Sequence, residues 1–419
     1  MSHELKKLIW YCPGLWQAGG GERLLLEGLK YFNANGVAAQ LFVESNPPKE
    51  NALFDGHYNP TILSSGVKPQ HSNFLGRIFT KIRYFFLNNR TIKTADPDIV
   101  IANSQGEAKK LLLYNTFLNF KKISFVCFIH GTFFQFDDEV EKYAYVFRNN
   151  FYQIWNGDQV YKRLIPIKPI QRSFFTRIKD EVNAALNRMA VKKAKAVFVL
   201  TDKAKKEVEL LYGHTNVQVA HGAFSNDIFD VVLNENKKKK LGIENKFAVL
   251  SLCRLVKKKQ VSLIVDAFSL FSAKHPNAVL LIGGTGPERE VLEKQVEKLN
   301  LKNNVIFLGF VAENELNDYY LSADLFTSAD NADYDITSIH ALALGKRIVA
   351  SAQHEFDPVL EDLKLVLHAN PTPEGFAKAF NDSMGLSSQT DKEQRKKCLS
   401  NYSWESYFSQ IQGVIGQVI

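Results

Sequence analysis

Residues 247–288 read FAVLSLCRLVKKKQVSLIVDAFSLFSAKHPNAVLLIGGTGPE, and the order of the pieces decides the fold. An apolar strand, FAVLSLC, runs straight into Arg254 and then Lys259. A second strand, AVLLIGG, empties into Gly283-Gly284-Thr285-Gly286-Pro287-Glu288, and a helix-like segment, REVLEKQVEKL, follows. A strand that ends in glycines just before a helix lets a phosphate meet backbone N–H groups at the positive end of the helix dipole. Two cations on the neighbouring strand exit supply the remaining charge that a diphosphate needs. The signal lies in the succession, because a lone glycine loop is more often a tight turn.

The same alternation extends in both directions. LKKLIWYCPG, GERLLLEGLKYFNANG and VAAQLFVES give strand, amphipathic helix and strand. Leu24, Leu26, Leu29 and Phe32 form the apolar face of that helix, which stops at Asn-Gly. PDIVIANS, ISFVCFIHG and AVFVLTD are further short strands with helical stretches between them. Beyond residue 247 come VIFLGF, LFTSA and RIVAS. This pattern predicts an α/β chain with mostly parallel sheets covered on both faces. The composition shift at NENKKKKLGIEN marks a linker, so the expected plan is a first domain over 1–225, a linker over 226–245 and a second domain over 246–398. The C-terminal helix over 399–419 either packs on its own domain or crosses back to the first. Two doubly wound domains then face each other, with ligands expected at the carboxyl ends of the strands.

Length and composition agree. A chain of 419 residues exceeds what one core usually supports. The 45% apolar and 23% charged fractions suit a globular enzyme. No apolar run approaches the roughly 20 residues needed to cross a bilayer. The N-terminus reads as a first strand and not as a signal peptide. Cys12, Cys127, Cys253 and Cys398 are scattered without metal spacing, which suits reduced thiols in cytoplasm. The net charge of +8 comes partly from the runs Lys237–Lys240 and Lys257–Lys259, and the first reads as solvated. No nucleic-acid-binding signature accompanies it, so an anionic lipid or small anionic substrate is the expected partner.

From residue 250 to 351 the chain resembles retaining glycosyltransferases of family four, which have the GT-B fold of two Rossmann-like domains. The resemblance covers most of the chain and extends to residues 19–23 and 197–229. The family's Gly-Arg-Leu strand exit, with a lysine five residues past the arginine, matches Arg254 and Lys259. Cys253 and Gln260 stand where the family has glycines. The resemblance implies that Arg254 and Lys259 hold the diphosphate of a nucleotide-sugar donor, where bidentate guanidinium and ammonium charge stabilise the leaving group. It assigns Gly284 and Gly286 to the glycine-rich segment and places the nucleotide base at Gly309, Phe310 and Val311. Family members carry two glutamates seven residues apart. The second, a ribose ligand opening a helix, is His340 here; the first, which orients the donor sugar, falls on Ala332, beside Asp333 and Asp335. Asp333 or Asp335 is therefore the expected sugar-facing carboxylate.

In the first domain, Gly19-Gly20-Gly21-Glu22-Arg23 matches the family's Gly-Gly-x-Glu-Arg helix opening, where Gly20 and Gly21 let a ligand approach the backbone. His130, ending ISFVCFIHG, falls where many members place an active-site histidine facing the donor sugar. His221-Gly222 replaces the family's Asn-Gly. The resemblance implies no metal or other cofactor, because side chains and helix dipoles neutralise the diphosphate. The acceptor hydroxyl is expected to lose its proton to the departing phosphate on one face of the sugar.

Two segments carry more cations and aromatics than a loop needs: FLGRIFTKIRYFFLNNRTIK (74–93) and YKRLIPIKPIQRSFFTRIK (161–179). Each reads either as a core helix with snorkelling cations or as a basic amphipathic surface for an anionic membrane. Two of them favour the second, and with it a glycan or lipid-linked acceptor at the cytoplasmic face. A catalytically silent GT-B protein, acting as partner subunit or glycan-binding module, is the competing reading. A sugar-nucleotide epimerase departs from the motif order. A dinucleotide-dependent dehydrogenase lacks a well-placed acidic residue, with Glu44 only loosely positioned.

Overall fold

The computed structural model of the protein describes residues 4–14, 20–45, 60–63, 74–117, 122–131, 173–330, 334–386 and 392–419. Two parallel sheets carry the fold. The first comprises β1 (Lys7–Cys12), β2 (Ala38–Val43), β3 (Thr61–Ile62), β4 (Ile99–Ala102), β5 (Phe125–Ile129), β6 (Val197–Val199) and β7 (Val217–Val219), in the order β3-β2-β1-β4-β5-β6-β7. The second comprises β8 (Phe247–Leu252), β9 (Ala278–Gly283), β10 (Val305–Gly309), β11 (Leu325–Ser328), β12 (Ile348–Ser351) and β13 (Val366–Ala369), in the order β10-β9-β8-β11-β12-β13. Among the described residues every strand pairing is parallel.

The continuous apolar runs are explained by burial on both faces of each sheet. Leu8, Trp10 and Cys12 of β1 enter one core cluster, while Ile9 and Tyr11 enter another. Along β8, Leu250 and Val249 divide in the same way. Each sheet reverses winding direction once, between β1 and β4 and between β8 and β11, which opens a crevice at the carboxyl ends of those strands. The α/β architecture of two Rossmann-like doubly wound domains predicted from the alternation is the one observed. Strands β3, β7 and β13, of two, three and four residues, were not among those read from the sequence.

The helix Gly20–Ala34 buries Leu24, Leu25, Leu26, Leu29 and Phe32, and Gly36 adopts φ +79 just beyond it. At the far end of the chain, Trp404–Val418 packs against this first-domain helix. The Phe408 ring lies 6.5 Å from Trp10, 5.6 Å from Tyr31 and 6.0 Å from Phe32. Trp404, Tyr407 and Phe408 are all buried, and each large side chain removed from water contributes on the order of 1.5–3 kcal/mol. The C-terminal helix therefore clasps the two domains together.

The lysine run at 237–240 is solvated only at Lys239 and Lys240, and not throughout as the sequence suggested. It forms a helical turn capped by Asn236, and Lys237 is buried. Its ammonium pairs with Glu235 and, at 2.7 Å, with Glu315, while Lys238 meets Asp324 at 2.9 Å. Carboxylates brought from some 80 residues away turn an apparent charge run into an anchor for the second domain. Among the described residues, no helix is long and apolar enough to cross a membrane.

Candidate active site in the interdomain cleft

The carboxyl edge of the second sheet gathers most of the residues singled out above. Arg254 leaves β8 exposed to solvent, and Lys259 closes the following 3-10 turn, Lys257–Lys259. The Lys259 ammonium forms an ion pair with the buried carboxylate of Asp330 at the exit of β11. Burial pushes the Lys259 pKa down, but Asp330 and Asp335 overcome it and hold the ammonium well above its usual range. Lys259 is thus a charged group at ordinary pH, paired with Asp330 inside the protein. Gln260 next to it adopts φ +47, the left-handed conformation that a glycine would take without strain.

The glycine turn has a second reason to exist beyond phosphate approach. Gly284 has φ +124 and Gly286 φ +157, and a Cβ on either would overlap the carbonyl oxygens of Cys253 and Leu255 respectively. The exits of β8 and β9 are laced together by Cys253 N–H to Gly283 O at 3.1 Å, Leu255 N–H to Thr285 O at 2.9 Å and Glu288 N–H to Leu255 O at 3.0 Å. Gly284 donates its own N–H to Gly309 O at 2.7 Å. That N–H is therefore spent within the protein, which corrects the picture of Gly284 as a phosphate donor; its part is to let two backbones touch. Phe310, beyond Gly309, is 61% exposed, and Val311 lies against the glycine turn.

Asp335 also takes a different role from the sugar-facing one suggested for it. It is the N-cap of the helix Ile336–Ala343 and accepts hydrogen bonds from Thr337 N–H at 3.2 Å, Thr337 Oγ1–H at 2.6 Å and Ser338 Oγ–H at 2.7 Å. Burial raises its pKa, but Lys259, His354 and the Thr337 and Ser338 hydroxyls outweigh burial and hold the carboxyl at about 2. A cap at Asp335 starts the helix one turn earlier than the sequence reading did, so His340 lies inside the helix and not at its opening. Asp333 lies outside the described residues.

His340 is buried, with Nε2 2.9 Å from Asn317 Oδ1 and its ring 5.2 Å from that of Tyr320. Burial, with the Arg23 cation, lowers its pKa to about 3. Arg23 belongs to the Gly20–Ala34 helix of the first domain and reaches Glu313 of the second at 3.0 Å. The glycines Gly20 and Gly21 open that helix. The two carboxyl edges therefore confront each other across a cleft. At its other wall, Lys203 N–H donates to Glu355 Oε2 at 3.2 Å, and His221 stacks between Tyr334 at 5.8 Å and Tyr402 at 5.0 Å.

His130 sits at the exit of β5, half-buried. Its Nε2 is 3.2 Å from Asn103 Oδ1, which also accepts from Trp10 Nε1–H at 3.0 Å. Burial lowers its pKa to about 4, so the ring is neutral near pH 7. Asn103, Asp330 and Asn317 were not found from sequence. The first two were legible as polar residues ending apolar strands at the winding reversals; Asn317, within a helix, gave no signal. Gln353 and His354, just past β12, were missed as well. Both are buried, and none of their side-chain nitrogen and oxygen atoms has a hydrogen-bond partner.

Comparison with known proteins agrees with this geometry. Residues 234–401 match the family described as Glycosyl transferases group 1. The chain is 33% identical over 139 residues to an alpha-monoglucosyldiacylglycerol synthase of Acholeplasma laidlawii, covering 33% of this chain and 35% of that protein. It is 29% identical over 136 residues to the enzyme of the same name from Streptococcus pneumoniae, covering 31% of each. The chain thus spans about a third of the length of these curated relatives. Among solved structures, HepE of Anabaena in complex with UDP superposes with a TM-score of 0.69 at 15% identity, covering 99% of this chain and 100% of that one. Sucrose-phosphate synthase of Thermosynechococcus elongatus gives 0.71 at 14% identity, with 98% of each chain covered. The fold is GT-B.

Proposed function

We propose that the protein is a glycosyltransferase that moves a sugar, with retention, from a nucleotide-diphosphate sugar to a glycan or lipid-linked acceptor. One observation carries this reading: Arg254, Lys259 and His340 share the carboxyl edge of the second sheet, opposite Arg23 and His130 on that of the first. The match over 234–401 supports the donor half of the claim.

In this scheme the donor diphosphate lies along the β8 exit. Arg254 grips it bidentately, and Lys259 turns part of its charge from Asp330 to the phosphate. As the bond from anomeric carbon to phosphate oxygen breaks, negative charge grows on the leaving diphosphate, and both cations stabilise it more than they stabilise the bound donor. The acceptor hydroxyl attacks from the face the diphosphate leaves and gives its proton to the departing phosphate oxygen. Neutral His130, fixed by Asn103, touches the sugar from the opposite domain. The base sits at Phe310 and Val311, and no metal is required.

The acceptor side is read from the first domain. Phe79 is 72% exposed on the helix Phe74–Thr94, and Phe174 and Phe175 are 70% and 82% exposed on the helix Phe174–Lys193. Lys81, Arg83, Arg177 and Lys179 lie among them, and two relatives are named for making a glucosylated diacylglycerol. This supports a peripheral enzyme on the anionic, cytoplasmic face of a membrane. Sedimentation with anionic and neutral vesicles tests it, and equal partitioning would rule the membrane out.

The replacement of the second glutamate by His340 and the use of Asp335 as a cap favour a second reading, a silent GT-B subunit. Thermal-shift screening against UDP-, GDP- and ADP-sugars, followed by transfer and hydrolysis assays, separates the two. A donor that stabilises the protein and is turned over is expected. Stabilisation without turnover supports the silent subunit, and no stabilisation by any donor defeats the donor-using enzyme.

A further inference from the structure

The outgoing and returning passages of the chain between the two domains run side by side. Past β7, Ala223 N–H donates to Tyr402 O at 2.8 Å and Trp404 N–H donates to Phe224 O at 2.8 Å, which laces the two segments together. Gly222 lies flush against Trp404 and Tyr407, where a Cβ would overlap both rings. The neighbouring His221 fills the gap between two tyrosines, its ring 17° from parallel to Tyr334 and 29° from parallel to Tyr402. Both tyrosines are buried. The stack therefore joins the end of the first domain at His221, the returning segment at Tyr402 and the second domain at Tyr334. The asparagine that the resembled family carries in place of His221 has no ring with which to bridge them.

Tyr334 stands next to Asp335 in the chain and four residues after Asp330. Those two carboxylates hold Lys259. Asp330 pairs with its ammonium, and Asp335, capping the helix Ile336–Ala343, adds to the field that keeps it charged. The Tyr334 ring cannot shift far without moving the backbone that carries Asp335, and with it the surroundings of that cation.

We propose that His221 is a positioning residue for donor binding: through Tyr334 it makes the carboxylates around Lys259 depend on how the two domains meet. The inference rests on the nucleotide-sugar reading above. It adds a dependence of the second domain's phosphate grip on a first-domain ring outside the phosphate site.

Isothermal titration with UDP, GDP and ADP selects the nucleoside diphosphate, and its affinity is then compared across variants. His221→Asn is expected to weaken binding about two- to tenfold, the worth of an aromatic stack. Tyr334→Leu, which keeps apolar bulk without a ring, is expected to do the same. His221→Phe restores a ring and is expected to bind within about twofold of the wild type. In a Lys259→Met background the change His221→Asn is expected to cost nothing further, because the group it positions is gone. Wild-type affinity in both His221→Asn and Tyr334→Leu, with only the melting temperature lowered, marks a packing role and overturns the proposal. Weak binding by His221→Phe excludes the stack, and an undiminished loss in the Lys259→Met background excludes the route through Lys259. No binding of any of the three nucleotides to the wild-type protein removes the donor reading itself.

Discussion

The two halves of the second domain's carboxyl edge are built on different principles. On the β8–β9 side the shape is made by backbone: strand exits laced by N–H to carbonyl bonds, with glycines wherever a Cβ would collide. On the β11–β12 side it is made by side chains: Asp330 on Lys259, Asp335 on its own helix, and His340, Gln353 and His354 buried with polar atoms unpartnered. The first half satisfies its backbone groups within the protein. The second half leaves several buried polar side-chain atoms without a protein partner, which native proteins rarely do. The backbone half should tolerate no substitution at its contacts, whereas the side-chain half should reveal itself through ligand and pH.

The largest effect should come from Gly284→Ala. A methyl group there meets Cys253 O in a conformation closed to alanine. A loss of about 3 kcal/mol or more is expected, lowering the melting temperature by about 10 °C. A melt unchanged within about 2 °C would mean that the strand exits are not laced as described. Next is Arg254→Ala, which should weaken nucleoside diphosphate binding about ten- to hundredfold with the fold intact, the worth of a charged hydrogen-bonding group. Equal affinity would move the phosphate away from the β8 exit.

The side-chain half predicts an acid-sensitive stability. His340 has its pKa lowered to about 3 in the folded protein, whereas the unfolded chain takes up a proton near pH 6.5. The unfolded state thus binds more protons between those values, so stability is full above about pH 6.5 and falls as pH drops below it. The slope for one such group is about 1.4 kcal/mol per pH unit. Denaturant melts between pH 7 and 5 should show the decline, and His340→Gln should remove that group's share of the slope while His130 keeps its own; identical slopes would place the titration elsewhere. The smallest change is Gln260→Gly. The glutamine holds a left-handed φ at a helix start without making a side-chain cap. Glycine should therefore raise stability by about 0.5–1 kcal/mol, and a loss of stability would show that the glutamine side chain has another role.

The contrast also explains what could be read from the chain. The glycine turn and the strand exits were legible because backbone geometry is written into local residue types. Only glycine accepts φ +124 against a neighbouring carbonyl, and a strand buried on both faces must be continuously apolar. The histidine slot was legible as a departure, but its meaning was not. Asn317 is 23 residues away from His340 and lies in an ordinary helical stretch, so nothing local marks it as a partner of the imidazole. Asp335 looked like a ligand because capping depends on where the helix starts, which sequence fixes poorly. Lys237 looked solvated because its partner Glu315 is distant in the chain.

Two doubly wound parallel sheets, a cation pair at one strand exit, a glycine turn at the next, and a histidine where a glutamate was expected are all written into the chain. These are properties of short segments, governed by periodicity, φ and strand burial. Three-dimensional packing set that Lys259 pairs with Asp330, that Asp335 is a cap, that Arg23 crosses to Glu313 beside His340, and that Nδ1 of His340 has no protein partner. Each of these depends on which polar groups find each other once the domains close, and hydrogen-bond satisfaction is settled by that three-dimensional pairing and not by position along the chain.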